Sequence, residues 1–187
     1  MQEDFLYALG GALLLLAVAA IVSYNRFVNQ RNLIANSWSN VDTELRRRYD
    51  LIPNLVETVR GYATHERTVL DEVTRARAVA VGTTGSPGRQ AAAETPLVES
   101  LRRLLAVAEA YPQLKASDHF LHLQRELANT EDRIQAARRF FNANVADYNR
   151  RVRSVPSNVM ASIFGFEEYE YFEVEPAVRE TPAISAT

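Results

Sequence analysis

The stretch that decides the fold is Ser117–Arg153, SDHFLHLQRELANTEDRIQAARRFFNANVADYNRRVR. Phe120, Leu127, Ile134, Phe141 and Tyr148 recur every seven residues, and Leu123, Ala137, Val145 and Val152 widen the same stripe. Apolar residues at that interval lie on one face of a helix and leave the opposite face to charge. Ser117-Asp118 supply a cap, so the spacing predicts about 35 residues of helix, roughly 52 Å long. An apolar face that long requires partners, and the partners must come from the rest of the chain.

Toward the C-terminus, Val155-Pro156 ends the helix, and Ser157–Phe164 reads as one further short helix closed by Gly165. Residues 167–180 then hold six Glu and one Arg, whereas residues 26–153 hold 20 basic and 15 acidic side chains. An acidic tail, 167–187, therefore follows a basic body, and its last dozen residues read as disordered. Toward the N-terminus, Pro96–Tyr111 reads as a short apolar helix that starts at Thr95-Pro96 and is ended by Pro112. Gly82–Gly88 (GTTGSPG) reads as a loop. Before it, Ile34, Trp38, Val41, Leu45, Tyr49, Ile52, Val56, Val59 and Ala63 wind one apolar face around a long helix, which resumes through Val69 and Val73. Pro53 lies within this run and predicts a kink or restart near Asp50–Pro53, with Asp50 as the cap of the next segment.

Phe5–Tyr24 (FLYALGGALLLLAVAAIVSY) carries no charge between Asp4 and Arg26. Twenty helical residues give about 30 Å, enough to cross the hydrocarbon core. A cleaved signal peptide is the alternative, with Ala17-Val18-Ala19 as an imitation of a cleavage site. Glu3 and Asp4 stand where its basic n-region should be, and the apolar run is too long. Arg26, Arg31, Arg46, Arg47 and Arg48 follow the span and no basic side chain precedes it, so the positive-inside rule puts residues 1–4 outside and the body in the cytoplasm of a bacterial inner membrane.

The 187 residues leave room for one domain beyond the anchor, here 25–166. With 47% hydrophobic and 24% charged residues the chain can build a core. Zero cysteines exclude disulfides, thiol catalysis, Cys-ligated zinc and iron–sulfur clusters. Arg outnumbers Lys 20 to 1 at a net charge of −2, which reads as coding bias and points to no nucleic-acid partner.

Several collinear stretches resemble the LemA family. They are Tyr24-Asn25, Arg31-Asn32, Arg47–Val56 (RRYDLIPNLV), Gly61–Glu66 (GYATHE), Tyr111–Ala116 (YPQLKA), Leu127–Glu131 (LANTE), Ile134–Arg138 (IQAAR), Phe141-Asn142, Tyr148-Asn149 and Pro156. Phe140-Phe141 and Val155 depart from the family's usual tyrosine and aromatic residues. The resemblance implies an all-α chain: one N-terminal transmembrane helix, then an elongated antiparallel, up-and-down four-helix bundle. It implies no agreed enzymatic activity. Some relatives are tied to building internal membranes or to neighbouring membrane peptidases.

The residues themselves give no reaction centre. His65-Glu66 opens like a zinc-protease helix, but Val69 stands where the second His is needed. His119 and His122, beside Asp118 and Glu126, read as an ordinary helix-start pair, so no metal is expected. The glycine loop lacks the Gly-Lys-Ser/Thr ending of a phosphate loop, and no nucleophile elbow or paired carboxylates occur. No cofactor and no small-molecule substrate is expected.

Two surfaces stand out instead. Asn25, Asn29, Asn32, Asn36 and Asn40 fall within an arc of roughly 80°, nearly opposite Ile34, Trp38, Val41 and Leu45. They form either a solvated face or a ladder of amides that pairs with a second copy or with a partner. Gly10-Gly11 and the neighbouring alanines give weak support for close approach of two spans. The second surface is an aromatic hook, Phe164, Phe166, Tyr169, Tyr171 and Phe172, interleaved with glutamates. It either packs over the end of the bundle or is an exposed partner or membrane-interface motif; its glutamates are repelled by an anionic bilayer, so a basic protein surface suits it better. The resulting reading is a membrane-anchored, non-enzymatic scaffold or adaptor that self-assembles or binds another membrane protein. The rival is a regulator or substrate-presenting accessory of a membrane peptidase. A sensory bundle holding a small ligand ranks last, because no buried polar cluster is visible from the sequence.

Overall fold

The structure, a computed structural model, describes residues 1–173. Those residues form helices and no strand. In chain order they are α1 (Gln2–Tyr62), α2 (Arg67–Gly82), α3 (Pro87–Glu109), α4 (Pro112–Lys115), α5 (Asp118–Arg153) and α6 (Ser157–Phe164). The acidic residues beyond 173 lie outside the described residues.

The seven-residue stripe is the buried face of α5: Phe120, Leu127, Ile134, Phe141 and Tyr148 are all buried. Its start is capped as the sequence predicts, with the Phe120 amide donating to the Ser117 hydroxyl at 3.5 Å. The short last helix also closes as expected. Gly165 takes the left-handed conformation at φ 67°, a geometry that penalises any residue with a Cβ.

Three expectations are corrected. Pro53 does not break the first helix: α1 runs through it, and Asp50 is an internal helical residue instead of a cap. The proline removes the amide that would have bonded the Tyr49 carbonyl. Arg77 of α2 supplies the missing donor, its Nε lying 2.7 Å from that oxygen. The real interruption falls ten residues later, at Ala63–Glu66, where the Glu66 amide bonds the Ala63 carbonyl in a turn and α2 begins. Gly61, Thr64 and His65 are all poor helix formers, and they are exposed.

The helix expected to start at Thr95-Pro96 starts at Pro87, and Pro96 lies inside it. Ser86 is the cap, accepting from the Arg89 amide at 3.4 Å, with Pro87 in the first turn. Pro96 and Ala92, whose carbonyl it deprives of a donor, are both exposed, so water replaces the lost bond. Pro112 does not merely end a helix; it opens the single turn α4.

The described chain separates into two compact units. The first is Met1–Val41 with Ala137–Glu170. Its core pairs Trp38 with Phe141 (ring centroids 5.3 Å apart) and Phe27 with Tyr148 (5.8 Å), and Gln30 accepts from Arg151 at 2.7 Å. Phe27 precedes Trp38 on α1 while its partner Tyr148 follows Phe141 on α5, so the two segments are antiparallel. Phe166 stacks on Phe27 at 4.6 Å. The Asn149 side chain then clamps Tyr169, donating to its carbonyl and accepting from its amide, both at 2.9 Å.

The second unit is Asp42–Ala136 with residues 171–173 of the described chain. Leu45, Ile52, Leu55, Leu70, Leu97, Leu104 and Leu114 are among its buried apolar side chains. Arg103 of α3 reaches Glu72 of α2 at 3.0 Å, and Gln90 bonds the Ala80 carbonyl at 3.2 Å, which sets α2 and α3 antiparallel.

Candidate functional site

The membrane-proximal part of α1 carries two faces. Phe27, Ile34, Ser37 and Val41 are buried, while Asn25, Asn29, Asn32, Asn36 and Asn40 are all exposed. The apolar window at the start of the same helix is long and apolar enough to cross a membrane, and none of it is buried.

The aromatic residues near the C-terminus divide. Phe166 and Phe172 are buried, Tyr169 and Tyr171 are half-buried, and Phe164 is half-exposed. Tyr169 lies edge-on to Tyr148 with centroids 5.2 Å apart. Phe164 faces Tyr24 at 5.0 Å. His65, His119 and His122 are exposed, and among the described residues no three potential metal-ligating side chains gather.

The sequence reading found no buried polar cluster, and the structure contains one, in the second unit. Arg48 occupies the core stripe of α1 between Leu45 and Ile52, and Glu94 occupies that of α3 between Ala91 and Leu97. Both are sealed, at 1% and 0% exposure. The Arg48 guanidinium pairs with Glu94 through one nitrogen and with Glu131 of α5 through the other, the latter at 2.8 Å. The Tyr49 hydroxyl donates to Glu94, and Gln90 donates to the Tyr49 oxygen at 3.0 Å and to Glu94 at 2.9 Å. The Tyr49 carbonyl takes Arg77. Helices α1, α2, α3 and α5 thus each contribute to one network.

Burial opposes the charge on Arg48, but Glu131 and then Glu94 outweigh it, so its pKa is held above the ordinary value. Tyr49 moves in the same direction for different reasons: burial first, then its hydrogen bond to Glu94 and that residue's charge. Glu94 is sealed, so no substrate can exchange a proton with it from solvent. A tyrosine whose folded pKa exceeds its unfolded one adds stability that is complete below about pH 10 and is lost as pH rises further. The unfolding free energy should accordingly fall above pH 10, by at most about 1.4 kcal/mol per pH unit from this group. Tyr49→Phe should flatten that slope. Denaturant titrations at several alkaline pH values check it, and identical slopes in both proteins would refute the assignment.

The described residues are thus all-α, with one candidate membrane span and a buried charged network that joins helices. The LemA family model matches residues 37–185, and the chain belongs to the LemA family. It is similar to Magnetosome protein MamQ of Magnetospirillum gryphiswaldense, with 29% identity over 190 residues covering 88% of this chain and 70% of that one. Magnetosome protein MamQ 2 of Paramagnetospirillum magneticum is 28% identical over 207 residues, 93% of this chain and 76% of its own. Protein LemA of Metamycoplasma hominis is 24% identical and covers 81% of this chain and 73% of its own. Four of the five asparagines precede the matched region, whereas Arg48, Glu94 and Glu131 lie within it.

Proposed function

We propose that the protein is a membrane-anchored, non-enzymatic scaffold or adaptor that works through helix-face contacts. Residues 5–24 span a bacterial inner membrane with the N-terminus outside, and the helices after them form an up-and-down four-helix bundle in the cytoplasm. One observation carries this reading: a single unbroken helix bears both the apolar window and, directly after it, five exposed asparagines on one side. Asparagine is a mediocre helix former, and water alone would be better served there by Glu, Lys or Arg. Side-chain amides donate and accept, so two copies of the face can satisfy each other. Names such as magnetosome protein among the relatives support a structural role over a catalytic one.

The test is the molar mass of the full chain in mild detergent, by light scattering. The wild type is expected to form a defined oligomer. Replacing Asn29, Asn32 and Asn36 by Glu should lower the mass while leaving helix content and melting unchanged, since all three are exposed. Clustered charge in a shared interface is costly, whereas on a solvated face it costs little. An unaltered oligomer would remove the asparagine face from self-assembly, and a monomeric wild type would leave only the adaptor reading.

A further inference from the structure

Helix α6 has the wrong exposure for a soluble surface. Val155, just before it, is 82% exposed, and within it Val159, Ile163 and Phe164 are 56%, 67% and 51% exposed. Val159 and Ile163 are four residues apart and share a face, and Ala161 is the buried residue of the helix. Contiguous apolar groups of this kind mark a contact surface.

Two further observations identify what covers it. Residues 154–166 carry no charge, yet at 13 residues they are too short to span a bilayer, the length class of interfacial segments. The position of α6 is also fixed. Phe164 lies edge-on to Tyr24, the last residue of the apolar run, and Phe166 is 5.7 Å from the same ring. Tyrosine at the end of a span sits at headgroup level, so whatever touches Tyr24 is held at that depth. Gly165, in its left-handed turn, and the stacking of Phe166 on Phe27 strengthen that hold at the same, C-terminal end of α6. The exposed Arg26, Arg150 and Arg153 lie near the uncharged stretch; Arg150 pairs with Asp147 at 2.6 Å and Arg153 with Glu168 at 3.5 Å, which leaves Arg26 as the basic group suited to anionic headgroups. Glutamates begin only at Glu167.

We propose that α6 is a membrane-interface helix, with Val159, Ile163 and Phe164 inserted into the lipid beside the point where α1 leaves it. This rests on residues 5–24 being the anchor. The function is to give the chain a second hold on the bilayer, so that unit one is fixed in rotation and tilt as well as tethered.

The chain has no cysteine, so single labelling sites can be introduced cleanly. The full chain carrying Ile163→Cys, labelled with an environment-sensitive fluorophore, is reconstituted into vesicles of phosphatidylcholine and phosphatidylglycerol, with and without brominated acyl chains. Val22→Cys reports on the anchor, and Ala143→Cys, exposed on α5, reports on water. The expected result is blue-shifted emission at 163 and a loss of fluorescence with brominated lipid comparable to that at 22, with little change at 143. A label at 163 that behaves like 143 overturns the inference. If 22 is quenched in that case, the anchor stands and α6 alone is misassigned; if 22 is not, both fall. Disulfide formation between unlabelled 163 cysteines without lipid quenching would identify a second copy as the occupant and overturn it equally.

Discussion

Replacing Glu94 by Ala should destabilise the protein by about 3–5 kcal/mol, the cost of taking the buried partner from a buried charge. Arg48 would keep only Glu131, and the Tyr49 hydroxyl and Gln90 amide would lose their shared acceptor. Total stabilities of about 5–15 kcal/mol make this a large fraction of the whole. The double change Arg48→Met with Glu94→Leu should recover most of the loss, because it removes the charge along with the need to pair it. Thermal and denaturant unfolding in mild detergent would measure both. A single variant within about 1 kcal/mol of wild type would show that the network contributes nothing net.

Phe27→Ala should have an effect of similar size, about 3–5 kcal/mol, through the cavity it leaves. Phe27 is wholly buried, stacked on Phe166 and edge-on to Tyr148, with the Arg151 guanidinium 5.9 Å from its ring centre. The loss should also have a location. Phe166 holds the segment after α6 against α1, so amide exchange at Phe166 and Tyr169 should accelerate most, although their partners Ala161 and Asn149 are untouched. Hydrogen exchange read by mass spectrometry checks this. Uniform acceleration along the chain would show that Phe27 supports global packing and does not clamp the segment.

What the sequence disclosed, and what it hid, follows from the range of each signal. The stripe of α5 was legible because Phe120, Leu127, Ile134, Phe141 and Tyr148 are all buried, so periodicity alone marks that side. Ser157–Phe164 was legible because Pro156 and Gly165 punctuate it. The interruption at Ala63–Glu66 was not, since a proline ten residues earlier gave the stronger local signal while the residue that neutralises it, Arg77, is 24 positions away. Pro96 misled for the complementary reason: on an exposed face, water replaces the lost bond and the helix continues. The buried network escaped because Arg48 was counted only with the basic residues that follow the span and Glu94 was given no role. Their positions in the stripes 41, 45, 48, 52 and 91, 94, 97, 101 were the available clue. The asparagine face, by contrast, is a property of one helix, and its spacing placed all five residues together without any tertiary information.

The bond from Arg77 to the Tyr49 carbonyl bears on the order of assembly. A chain that has made only α1 leaves the Tyr49 carbonyl to water, so the turn around residues 49–53 is a weak point of the isolated helix. It gains a protein donor only once α2 has doubled back and docked. The end of α1 is therefore completed by a neighbour not yet synthesised when it leaves the ribosome.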